Sequence, residues 1–97
     1  MKKQAFNNYV DVIANTFDMK RKAIFTKSKL RGIVDARHML YYACDKNGIE
    51  TSYIISYMAE NGYKITRQSI VHGIIRMKDK INSHSNIKQL AESICTQ

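Results

Sequence analysis

Not one proline interrupts this chain of 97 residues, and glycine stands only at positions 32, 48, 62 and 73. Proline removes a backbone donor and clashes with the preceding turn, while glycine loosens a helix, so their scarcity leaves long stretches free to be helical. Within those stretches apolar residues recur three and four apart, and nothing alternates with period two over a useful length. An all-α fold of about six helices follows. At this length one core suffices for folding, and a single domain over 1–97 is expected.

In the first segment Phe6, Tyr9, Val10, Ile13 and Phe17 form an apolar stripe, with Asn7, Asn8, Asp11 and Asn15 on other faces. A short second helix fits about Met19 to Phe25, and Thr26 to Gly32, polar and basic, reads as a loop. A third helix from about Ile33 to Lys46 carries Ile33, Ala36, Leu40 and Ala43, flanked by Met39, Tyr41 and Cys44, which marks it as central. Asn47-Gly48 should end it, since Asn and Gly tolerate the left-handed conformation of a helix C-terminus. Thr51 offers an N-cap for a fourth helix with Ile54, Ile55 and Met58, ending near Asn61-Gly62. Thr66 offers a cap for a fifth, whose Ile70, Ile74, Met77 and Ile81 share one sector. A sixth, about Ser85 to Cys95, groups Ile87, Leu90, Ala91 and Ile94 on one side.

The charge is lopsided, with 16 Lys and Arg against 8 Asp and Glu and a formal net charge of +8. Between Lys20 and Arg31 stand Lys20, Arg21, Lys22, Lys27, Lys29 and Arg31 without an acid; from Lys64 through Lys78 the charges are again only cations, Lys64, Arg67, Arg76 and Lys78. A partner responds to such local fields, so two acid-free stretches in one small domain point to a polyanion, against the plainer reading of a solvated face.

Residues 64–72 concentrate these features. The fourth helix, a turn and the fifth helix have the form of a helix-turn-helix, with about 66–81 as recognition helix. Opposite its core stripe lie Gln68, Ser69, His72 and Arg76. Arg67 and Gln68, in the first turn, suit guanine and adenine edges in a major groove. Thr66 and Ser69 suit capping or phosphate contact, His72 a phosphate or base edge, and Arg76 a phosphate. Lys27, Lys29, Arg31 and Lys64 would hold the backbone without reading sequence. Arg37 is expected either on the DNA backbone or paired with Asp35 or Tyr41.

Several of these segments, from about Tyr9 to Ile94, resemble the C-terminal DNA-binding domain of the bacterial replication initiator DnaA, whose helix-turn-helix core is related to that of the Trp repressor. Val12-Ile13-Ala14 with Phe17 resembles its opening helix, Lys27-Ser28-Lys29-Leu30-Arg31 its basic loop, and Ile33 to Met39 followed by Tyr41 or Tyr42 the start of its central helix. Ile70-Val71-His72 resembles the apolar pair and His after its Arg-Asp-His-Thr-Thr signature. Aligned back from His72, Thr66, Arg67, Gln68 and Ser69 occupy the Asp, His, Thr and Thr positions, and only Ser69 is a close substitution. The turn from Asn61 to Ile65 is about three residues longer than the family's, and Asp35 stands where the family often has a minor-groove Arg. The resemblance thus implies sequence-specific binding of double-stranded DNA, in replication initiation or its control or in transcription regulation, at a site other than the family's own box. With no G-x-x-x-x-G-K-[ST] loop, it implies a stand-alone module of the kind a phage or mobile element carries.

Other classes fit less well. The acids are scattered, and His38, His72 and His84 share no ligand spacing with each other or with the cysteines, so neither catalysis nor a metal or cofactor is expected. No apolar run approaches a membrane span, and Met-Lys-Lys leads into no apolar signal core, which suggests a cytoplasmic, nucleoid-associated protein. Cys44 and Cys95 lack CxxC spacing and read as small core residues. The main rival is a protein-binding adaptor or inhibitor that keeps the fold and docks on a replication or transcription factor; nonspecific DNA coating is a third reading. No heptad pattern announces a dimer.

Overall fold

The computed structural model describes residues 1–96. Gln97, the last residue of the expected domain, lies outside the described residues. The protein is all-α, with six helices in the order α1 (Lys2–Thr16), α2 (Arg21–Ile24), α3 (Arg31–Lys46), α4 (Thr51–Glu60), α5 (Arg67–Ser83) and α6 (Ser85–Cys95).

The central position expected of the third helix is observed. From Ala36 through Cys44 only His38 of α3 is not buried, and every other helix packs on α3, α5 most extensively. Phe6, Val10 and Ile13 of α1, Ile54 and Met58 of α4, Ile70 and Met77 of α5 and Ile94 of α6 close one hydrophobic cluster around it. The closeness of α3 and α5 depends on Gly73, because a Cβ there would come within 2.8 Å of His38 Cδ2 and 3.0 Å of Tyr41 Cδ2. A mid-helix glycine costs about 1 kcal/mol in propensity, and here it permits the close approach.

Three helices stop in the same way. After α3, Gly48 takes φ 75°, its N–H meets Asp45 O at 3.1 Å and the Ile49 N–H meets Cys44 O at 2.9 Å. After α4, Gly62 takes φ 83°, with Gly62 N–H on Ala59 O at 2.9 Å and Tyr63 N–H on Met58 O at 3.0 Å. Both are Schellman caps, in which a left-handed residue returns two N–H groups to the last-turn carbonyls. After α1 the same pair of bonds forms, Asp18 N–H on Asn15 O at 3.2 Å and Met19 N–H on Ala14 O at 2.9 Å, but the left-handed residue is Asp18, at φ 54°.

Some expected boundaries shift. The second helix is shorter than Met19 to Phe25, and α3 starts two residues earlier than Ile33, taking Arg31 and Gly32 from the loop. Thr51 does not cap α4. Ile49 is drawn into the core as the apolar residue of the preceding cap, so within the link from Asn47 to Glu50 only Glu50 lies between that cap and α4, and Glu50 occupies the N-cap position without a side-chain bond. Thr66 does cap α5: its Oγ1 accepts the Ser69 N–H at 3.2 Å and donates to Ser69 Oγ at 3.0 Å. Ile70, Ile74 and Met77 are buried, with Ile81 half-buried, as their spacing requires. Cys44 is buried and its thiol is pushed up to about 12 by burial; Cys95 is half-buried and raised for the same reason.

Candidate nucleic-acid interface

The segment between α2 and α3 has no regular structure, and one side chain shapes it. Arg37 points from α3 beneath the loop and donates from Nη1 to Thr26 O at 2.8 Å and Ile24 O at 3.4 Å, and from Nη2 to Ser28 O at 2.7 Å. Its guanidinium also lies 5.0 Å from the centroid of the Tyr63 ring, and Lys27 Nζ lies 5.8 Å from the same ring. This corrects the expectation for Arg37. Only 7% exposed, it neither faces outward nor pairs with Asp35 or Tyr41, because its guanidinium is taken up by the carbonyls of Ile24, Thr26 and Ser28. Asp35 binds Lys80 Nζ instead, at 2.6 Å.

With the loop fixed, two grooves form along the Ser69–Arg76 flank of α5. One is lined by Lys27, Ser28 and Lys29 from the loop, Val34 and Arg37 from α3, Tyr63, Lys64, Ile65 and Thr66 from the turn, and Ser69 from α5. It has cations on both walls and no acid. The other is lined by Lys29, Arg31, Val34, Asp35, His38, Arg76, Asp79 and Lys80. Its acids are partly offset, since Asp35 is paired with Lys80. Lys29 and Val34 line both grooves, so the two are neighbours along one face.

Lys27, Lys29, Arg31, Lys64, Thr66 and Ser69 are therefore brought to this face, and Arg76 extends it. Arg67, Gln68 and His72 are exposed on α5 but line neither groove. Neither α3 nor α5 has an acid in its first turn, which leaves the positive ends of both helices uncompensated. Of the first basic run, Arg21 is committed elsewhere: Nη1 binds Asp11 Oδ1 of α1 at 2.7 Å.

Several residues at this surface escape a reading of charge and periodicity. His38 is half-buried against Gly73, and burial holds its imidazole below the ordinary range; Lys80, Arg37 and Arg76 act in the same direction, and Asp35 opposes them. Tyr63 is the ring that joins turn to loop, and its place just after the capping Gly62 is the one sequence signal that could single it out. Three apolar side chains are exposed nearby, Leu30 at 70% in the loop and Val71 and Ile75 at 42% and 52% on the other flank of α5. Among the described residues, no helix is long and apolar enough to cross a membrane. Comparison with family models, with curated proteins and with solved structures returned no match to this chain.

Proposed function

We propose that the protein binds specific sites on double-stranded DNA, with α4 and α5 acting as a helix-turn-helix and α5 as the helix that enters the major groove. The observation that carries this reading is the acid-free groove in which Lys27 and Lys29 face Lys64, Thr66 and Ser69 across about 40 residues of chain. A phosphate strand passing there would meet cations and hydroxyls from both walls, and Arg67 and Gln68 on the adjoining turn would meet base edges. The resemblance to the DnaA C-terminal domain adds support and suggests a role in replication initiation, its control, or transcription.

The test is selection of sites from a random duplex pool, followed by affinity for the winner and a scramble over a salt series. A motif, a large affinity ratio and a steep salt slope are expected, because phosphate neutralisation releases counterions. A steep slope without a motif would mean nonspecific coating.

A second reading, docking on a replication or transcription factor, is favoured by Val71 and Ile75, one turn apart and exposed on α5. It predicts weak salt dependence, since an interface anchored by apolar side chains does not rest on counterion release.

A further inference from the structure

Leu30 is a leucine held out in water. It is 70% exposed, between two exposed cations, Lys29 and Arg31. Its backbone is pinned: the Leu30 N–H donates to Ser28 Oγ at 3.2 Å, its carbonyl accepts the Val34 N–H at 3.0 Å, and the carbonyls of Thr26 and Ser28 are held from below by Arg37. A loose loop would let an apolar side chain fold back onto the core. Here the clamp keeps it presented, and the exposed apolar area has no return within the chain.

The surroundings specify the partner's chemistry. No acid lies between residues 20 and 31, and of the two acids in the groove that Lys29 and Arg31 line, Asp35 and Asp79, Asp35 is paired with Lys80, so a partner anionic at its rim and apolar within fits Leu30 and its two flanking cations. The minor groove of duplex DNA has that character, with phosphates on both edges and sugar and base faces inside, and apolar wedges inserted there part a base step and unwind it. We propose that Leu30 is such a wedge, a deepening that rests on the DNA-binding reading above. With α5 in the major groove, Lys29, which lines both grooves beside α5, meets the phosphates of one bordering strand. Leu30 then enters the minor groove across that strand, and Arg31 takes the opposite edge.

The experiment relaxes closed-circular plasmid with topoisomerase I in the presence of the protein and reads the topoisomer distribution after deproteinisation; anisotropy on a short random-sequence duplex reports binding in parallel. Wild-type protein is expected to shift the topoisomers. Leu30→Ala, which removes no core contact, should still bind the duplex yet lose most of the shift, and Leu30→Phe should keep it. Binding without a shift, or an undiminished shift with Leu30→Ala, overturns the wedge and leaves DNA binding standing. Absence of duplex binding at low salt overturns both and points to a protein with an acid-rimmed apolar pocket.

Discussion

The guanidinium of Arg37 lies 5.0 Å from the centroid of the Tyr63 ring, which ties the loop before α3 to the turn before α5. Through this contact one buried cation sets the relative placement of the two walls of the acid-free groove. Its charge is not available to a ligand, yet it positions charges that are.

Arg37→Ala should therefore cost stability, about 2–3 kcal/mol, since it strands the carbonyls of Ile24 and Ser28 and leaves that of Thr26 with the Ser28 N–H alone. Denaturant unfolding checks this. Arg37→Lys should not rescue the loss, because an ammonium cannot reproduce a planar fork reaching several carbonyls; wild-type stability in either variant would discount the clamp.

Arg67 and Lys29 should fail in different ways. Arg67→Ala is expected to cost about 1–3 kcal/mol at the selected site and relax preference there, whereas Lys29→Ala weakens all sequences and flattens the salt slope by about one. Equal losses for Arg67→Ala on every duplex would remove it from base reading, and an unaltered slope would remove Lys29 from phosphate.

Asp18 holds a left-handed cap without being glycine, at φ 54°. Asp18→Gly should raise stability by about 0.5–1 kcal/mol by relieving that conformation while keeping both cap bonds. A fall in melting temperature would show that the Asp18 side chain contributes more than its backbone costs.

Tyr41 Oη is buried without a hydrogen-bond partner, and burial drives its phenol well above the usual range. Tyr41→Phe should be neutral or stabilising by up to about 1 kcal/mol, since it removes a desolvated group and leaves the ring. Marked destabilisation would reveal a partner for the hydroxyl.

His38 gives a pH dependence of definite sign. Its imidazole titrates lower in the folded protein than in the unfolded chain. As pH falls through the unfolded value of about 6.5, the unfolded state takes up the proton first and stability declines. His38→Gln should reduce that decline between neutral and mildly acid pH; an identical pH profile would assign it to other groups.

Much of this fold is legible from spacing. The stripe Ile70, Ile74 and Met77 predicts which face of α5 is buried, and Asn47-Gly48 and Asn61-Gly62 predict where α3 and α4 stop. Asp18 hides the third cap because aspartate rarely takes that conformation. The basic loop and the turn are legible as charge, but their convergence across one groove depends on Arg37 and Tyr63, whose contact is tertiary and leaves no periodic mark. Arg37 is a cation in a basic chain, and only burial separates it from the cations that face outward. Leu30 is hidden for the opposite reason, since a single leucine in a basic loop leaves no sign in the sequence of whether it turns inward or out.

Gly73 has a further meaning. Because α5 is seated against His38 and Tyr41 without room for a Cβ, it cannot roll about its own axis to turn a different row of side chains outward. The bearing of the helix is set, and only the lettering on its outer face is open to revision: on the proposed DNA-binding reading, a change of target would be written at positions such as Arg67, Gln68 and His72, with the scaffold beneath left as it stands.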